Sequence, residues 1–366
     1  MNSKLKTLAA FSMVAMLGAG GPQSAMAADD TIVLGAAMSL TGKYATLGKN
    51  TQDGYDFTVK RINDKGGIKV GDKSYKLKVT YYDDESSSAR SAQLVERLIN
   101  QDKVDFVLGP YGSALTKAIA PITEKYKIPM VEGNAASNSL FTHGYKYMFA
   151  VLSTSDYYLR PAVDLLAEQA EKEGRDLKSI KIAVVVENDN FSRDVRNGVL
   201  EAAKKYGMQV VIDDKLPPDL NDMTATLTKV KALKPDALLI SGHNKGAILG
   251  IRQVAAQKVY VPMLALTHCK SAQIYKKFGK DANYTYCGSQ WDSKLTYTDR
   301  WFENSQKFAA EFEAAYKYDP PYQVAESAAA VEVFADAIER AGSLDREKVR
   351  DALAKTDMVT FFAPIK

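Results

Sequence analysis

The sequence predicts an α/β protein of two lobes, each built on a doubly wound parallel sheet. Strand-like and helix-like apolar patterns alternate through residues 28–287. The alternation restarts near residue 149, giving two halves of similar size. The chain, 366 residues in all, is also longer than one hydrophobic core comfortably serves.

Ile32, Val33 and Leu34 form a short apolar run ended by Gly35, as a buried parallel strand would be. A Gly/Ser/Thr loop follows. Tyr55, Val59 and Ile62 then recur at helical spacing, and Gly66-Gly67 stops the helix. Leu77–Tyr82 reads as a strand, and Ala92, Val95 and Ile99 as one helix face. Val104–Leu108 is a strand, Leu115, Ile119, Ile122 and Tyr126 a helical stripe, and Ile128–Val131 the next strand. The second half repeats the rhythm. Helices are expected over 160–173, 194–206, 224–233 and 247–256, and strands over 180–186, 210–212, 237–240 and 262–266. Residues 288–298 are irregular and aromatic, and helices follow over 301–316 and 323–341. The expected division is therefore a first lobe of residues 28–148 and 288–366 and a second of 149–287, two Rossmann-like lobes joined by crossing segments that act as a hinge. The C-terminal ends of parallel strands face the cleft between such lobes, which makes it a natural ligand site.

Residues 1–27 read as a cleavable export signal. Lys4 and Lys6 are basic, Leu8–Gly18 is apolar but too short to span a bilayer, and Ala25-Met26-Ala27 is a small-x-small cleavage site. Export implies a periplasmic, oxidising compartment, where Cys269 and Cys287 either pair as a disulfide or remain two half-buried thiols. The net charge of +4 includes the two leader lysines, and no basic run points to nucleic acid.

Five loops at strand ends could carry chemistry. Tyr111, Gly112 and Ser113 lie between a strand and a helix, with Ser113 placed as an N-cap where a carboxylate could bind. Asn134, Ala135 and Ala136 follow the next strand. Phe191, His243 and His268 follow strands of the second half, and Trp291 lies just beyond it. No zinc spacing, Gly-x-Ser-x-Gly elbow, phosphate loop or dinucleotide fingerprint occurs, so no catalytic residue, metal or cofactor is assigned.

The segments GAAMSLTGKYATLG, RINDKGGI, YYDDESSSARSAQLVERLI, GPYGS, IPMVEGNAASNSLF, GYKYMF, DNFSRD and AGSLDREKVRDAL resemble, in order and spacing, the periplasmic leucine/isoleucine/valine-type solute-binding proteins of ABC importers. The resemblance implies a type I periplasmic binding protein fold that closes on a ligand as a monomer and docks on an inner-membrane permease. A ligand-sensing periplasmic receptor of the same fold is the alternative. It also implies ligand contacts at Ser113, around Asn134–Ala136, and at Phe191, His243 and His268. Amino-acid-binding members usually carry Thr where this chain has Ala136, Tyr at the Phe191 position and an acid at the His268 position. The Thr and the acid hold the ligand's ammonium. A small carboxylate without an α-amino group, such as an aromatic acid flanked by Tyr111, Phe191 and Trp291, is then expected. An amino acid is the alternative, with Ser137 doing the threonine's work. Family members usually continue past a segment like Thr360–Lys366, so a truncated C-terminus is expected.

Overall fold

The computed structural model describes residues 30–218, 221–270 and 272–366, so the expected leader lies outside the described residues. In the first half, β1 (Thr31–Met38), α1 (Ala45–Asp64), β2 (Ile68–Val70), β3 (Lys73–Asp83), α2 (Ser88–Asn100), β4 (Phe106–Leu108), α3 (Ser113–Lys125), β5 (Met130–Glu132) and β6 (Met148–Ala150) follow in order. Their sheet has the strand order β2-β3-β1-β4-β5-β6 and is parallel except for the β2–β3 hairpin. The second half comprises α4 (Arg160–Lys172), β7 (Lys181–Glu187), α5 (Asn190–Tyr206), β8 (Gln209–Leu216), α6 (Thr224–Leu233), β9 (Ala237–Ser241), α7 (Asn244–Ala256), β10 (Met263–Thr267), α8 (Ala272–Phe278) and β11 (Thr285–Gly288). Its sheet, β11-β10-β9-β7-β8, is parallel throughout. The chain then builds α9 (Ser305–Tyr316), α10 (Tyr322–Ala341), α11 (Arg346–Leu353) and a two-strand antiparallel pair, β12 (Met358–Val359) with β13 (Pro364–Ile365).

Strand order reverses direction between β1 and β4 in one sheet and between β7 and β9 in the other. Loops leaving these four strands diverge and open a crevice at the strand C-termini. The fully buried runs of β4, β5 and β9 show no alternation because helices cover both sheet faces.

Some boundaries differ from the sequence reading, for local reasons. α5 begins at Asn190 rather than 194 because the Asp189 carboxylate accepts from Ser192 N at 2.8 Å and caps it. α9 begins at Ser305 rather than 301. The Asp299 carboxylate gathers the N–H groups of Trp301 and Phe302 into a turn, and Asn304 caps the helix instead. The edge strands β2 and β11 have no clean apolar signature and were not expected.

α10 packs on α1 and on β5, returning the chain to the first sheet. An aromatic cluster anchors this return: Phe308 stacks on Phe361 at 4.0 Å between ring centroids, and Phe57 stacks on Phe302 at 5.3 Å. The two segments that link the sheets grip each other. Gln290 accepts from Ser153 N and donates to Ser153 O, both at 3.0 Å. Cys269 and Cys287, after β10 and within β11, form a disulfide with their Cα atoms 5.4 Å apart. Among the described residues no helix is long and apolar enough to cross a membrane.

The α1–α10 contact depends on Gly54, since a Cβ there would lie 2.4 Å from the Val324 carbonyl oxygen. Gly54→Ala is expected to cost about 1–3 kcal/mol of stability through the forced separation of the helices. Chemical denaturation checks this; an unchanged midpoint would mean that the two helices separate at no cost.

Candidate functional site

The loops after β4, β5, β6, β7, β9 and β10 converge with the start of α10 on one enclosed space. Tyr111, Gly112, Ser113, Asn134, Phe191, His243, His268, Tyr158, Tyr322, Gln323 and Glu326 line a cavity of about 10 Å³. That is room for roughly one water molecule, so the cleft is shut. Gly112, not Ser113, is the N-cap of α3. Its φ of 92° suits glycine, and Ser113 is the first helical residue, with its hydroxyl accepting from Ser137 N at 3.1 Å.

Tyr111 fills the centre of the space. Its hydroxyl lies 2.8 Å from His243 Nδ1 and 3.1 Å from His268 Nε2, so one phenol from the first lobe joins two imidazoles from the second. The partners assign the protons. His268 Nδ1 lies 2.9 Å from the Gly242 carbonyl, which only accepts, so Nδ1 carries the hydrogen. Neutral His268 then offers a bare Nε2, which takes the Tyr111 O–H. With its proton spent, the Tyr111 oxygen accepts from His243 Nδ1. His243 Nε2 faces the Asp189 carboxylate at 3.1 Å as an ion pair. With His268 neutral, both contacts of the Tyr111 hydroxyl are met when His243 Nδ1 carries a hydrogen, and the facing carboxylate favours the imidazolium.

The electrostatics agree. Burial works against the charge on His243, but Asp189 and Glu187 outweigh it and raise its pKa above the usual 6.5. Burial, reinforced by the His243 charge, pushes His268 down to about 3. Burial would raise Asp189, yet His243 holds it below the usual 3.8. His268 also sits at φ 56°, the left-handed region that costs a side-chain-bearing residue about 1–2 kcal/mol. Strain of this kind is retained where a fixed side-chain position matters.

Aromatic rings enclose the imidazoles. Tyr44 lies edge-on to His243 at 4.9 Å, Phe191 is 5.2 Å from His268, and Tyr158 is edge-on to Phe191 at 5.0 Å. A second link between the lobes lies at the rim, where the Asp194 carboxylate accepts from Ser137 Oγ at 2.6 Å and from Asn138 N at 2.9 Å.

Seven of the ten residues singled out in the sequence therefore meet in one place. Trp291 does not. It is buried against Phe308 and Phe361 in the aromatic core, where it cannot flank a ligand beside Tyr111. Ala135 and Ala136 are buried next to Asn134 without lining the cavity, and the Ala136 carbonyl accepts from Ser155 N. The Ser137 hydroxyl is engaged by Asp194. Sequence reasoning passed over Tyr158, Tyr322, Gln323 and Glu326. The signal was there for Glu326, an acid inside an alanine-rich helix. Glu187, Asp189 and His243 place donor atoms within 4.8 Å of one another, the one such group among the described residues, but these atoms already serve one another: Glu187 accepts from His243 N, and Asp189 faces the ring.

Residues 31–366 match the model of the periplasmic binding protein family. Leu/Ile/Val-binding protein homolog 7 of Brucella melitensis is 25% identical over 249 residues, 68% of this chain and 60% of that protein. Homolog 8 of Brucella suis is 26% identical over 233 residues, 63% of this chain and 56% of that protein. The matches thus span less than two thirds of these relatives. Leucine-binding LivK from Thermotoga maritima superposes with a TM-score of 0.75 at 24% identity, covering 89% of this chain and 88% of that one. Streptococcus pneumoniae LivJ, solved with isoleucine, gives 0.79 at 22%, covering 91% of each. An R. palustris ABC-transporter solute-binding protein, solved with benzoate, gives 0.79 at 20%, covering 91% and 88%. At these identities the likenesses show the fold, that of type I periplasmic binding proteins. With two parallel-sheet lobes facing each other across a lined cleft and a family match over nearly the whole described chain, the protein belongs to the periplasmic binding protein family.

Proposed function

We propose that this protein is the extracytoplasmic solute-binding component of an ABC importer. It captures a small carboxylate-bearing solute between its lobes and delivers it to an inner-membrane permease. The observation that carries this reading is the convergence of strand-end loops from both sheets on one enclosed space at the two strand-order reversals. A ligand touching both lobes stabilises only the closed form, and closure is then the signal a permease can read. Two features favour an anion: the N-terminus of α3 at Ser113, and the protonated His243.

A solute of ordinary size cannot enter about 10 Å³. It enters when the lobes part, and the Tyr111 phenol then yields its place between the imidazoles. The ligand must repay what that bridge contributes. One charge-assisted and one neutral hydrogen bond amount to about 2–4 kcal/mol. The bridge also keeps the empty cleft from standing open.

Binding is checked by thermal shift of the full chain, refolded to strip bound solutes, against branched-chain and aromatic amino acids and benzoate-type acids. A true ligand raises Tm in step with RT ln(1 + [L]/Kd), a stabilisation of about 2.7 kcal/mol at a hundredfold excess over Kd. Phe191→Ala is expected to reduce that shift. A panel without any shift would contradict the proposal.

Closure is expected to depend on pH. The raised pKa of His243, set by Asp189 and Glu187 of its own lobe, gives the fold a contribution that is fully present below 6.5 and lost as pH rises through the raised value, and the bridge to Tyr111 weakens with it. The pKa of His268, depressed to about 3, works the other way: as pH falls below 6.5 the open form takes up a proton that the closed form refuses. Asp189 adds a contribution lost only below its usual 3.8. Glu187 and Lys43 are the other charges acting on His243. The bridge is therefore worth most near pH 6.5. In X-ray scattering of the ligand-free chain, Tyr111→Phe should open the cleft most near that pH, and the difference from the unsubstituted protein should narrow at about pH 4.5 and about pH 9. A difference constant across pH would refute the proton assignment.

A further inference from the structure

We infer that Glu326 is the counter-charge for an ammonium group on the bound solute, so that the carboxylate ligand is an amino acid or a related zwitterion. This rests on the reading of the cleft as a carboxylate-binding site and narrows it.

Glu326 lines the same cavity as Ser113, yet it comes from α10 and not from a strand-end loop. It is 1% exposed, and its Oε2 has no hydrogen-bond partner. No lysine or arginine pairs with it among the described residues. The one charge acting on it is a second buried acid, Glu132, which reinforces burial in holding Glu326 far above the usual carboxylate range. Glu132 is already served by Thr116 Oγ1 at 2.8 Å and by Asn134 N, so it offers Glu326 no relief.

The neighbouring Asn134 has the same need. Its amide orientation is fixed, because Nδ2 donates to the Gln323 carbonyl at 3.4 Å and to Ser327 Oγ at 2.7 Å, and Ser327 itself donates to the Gln323 carbonyl. Asn134 Oδ1 is left as a buried acceptor without a donor. Glu326 and Asn134 line the same cavity with a buried oxygen each that no group among the described residues satisfies, and the Tyr322 hydroxyl beside them is also unpartnered; a guest that brings N–H donors would serve both oxygens. Held that far up, Glu326 is a neutral acid in the empty cleft; a hydroxyl guest would satisfy Asn134 and leave Glu326 neutral. An ammonium brings three donors and the positive charge that draws Glu326 into its ionised form. The N-terminus of α3 at Ser113, lining the same cavity, favours the carboxylate. Glu326 reaches the cavity on α10, which packs on the first sheet.

The test is titration calorimetry on the full chain with matched sets: leucine, its deaminated acid 4-methylpentanoate and its decarboxylated amine 3-methylbutylamine, and likewise phenylalanine, 3-phenylpropanoate and phenethylamine. The expected result is that at least one amino acid binds about 10- to 100-fold tighter than its deaminated acid, and that Glu326→Gln removes most of that ratio. Since the ratio is measured first in the unsubstituted protein, it does not depend on the variant folding. Equal binding of acid and amino acid, unchanged in Glu326→Gln, would overturn the inference and leave the carboxylate reading standing. Amine binding as tight as the amino acid would uphold Glu326 and overturn the carboxylate reading. Binding of none of the set would overturn both.

Discussion

A phenolic hydroxyl from one lobe bridges two imidazoles of the other at the centre of the cleft. Tyr111 reaches from the first sheet to both His243 and His268, and with His268 neutral its one proton sets the direction of both contacts. From that direction follow the charge on His243, the role of Asp189 as its partner, and the neutral state of His268 enforced by the Gly242 carbonyl. Such a chain is strengthened by its burial. The same burial would make it costly if a proton were missing.

The bridge is possible because of topology. Tyr111 leaves β4 and His243 leaves β9, each strand beside the point where its sheet reverses order, while Asp189 leaves β7 and Tyr44 follows β1. α10 closes the floor. Its nearly continuous burial, packed on α1 and β5, brings Tyr322 and Glu326 to the cleft. A binding protein must be stable in each lobe yet undecided between open and closed. Here the lobe cores are built from large aromatic and aliphatic clusters. Across the cleft the central contact is polar, the Tyr111 bridge to His243 and His268.

Much of this was legible in the sequence. Buried parallel strands declare themselves as unbroken apolar runs, and helices by their 3.6-residue stripe, so the two-sheet plan and the strand-end loops carrying Tyr111, Phe191, His243 and His268 could be read directly. Edge strands β2 and β11, half exposed and short, carry no such pattern. Trp291 was misplaced because proximity in the chain to a cleft-facing strand says nothing about which side of the linking segment a ring falls on, and the Phe308–Phe361 stack claimed it. Glu326 was overlooked for the opposite reason: it lies mid-helix, far in sequence from every strand end, and only the packing of α10 across the first sheet brings it to the site. A buried acid in an alanine run is a signal that periodicity arguments pass over, since they weigh only apolar positions.

The most direct test of the proton chain is long-range 1H–15N correlation of the histidine imidazoles in the ligand-free protein near pH 6.5. With only three histidines in the chain, the spectrum can be assigned by substitution. The account predicts that His243 carries hydrogens on both ring nitrogens and that His268 is neutral with its hydrogen on Nδ1. A neutral His243, or a protonated His268, would contradict it and would mean that the bridge across the cleft is held by something other than the Tyr111 proton.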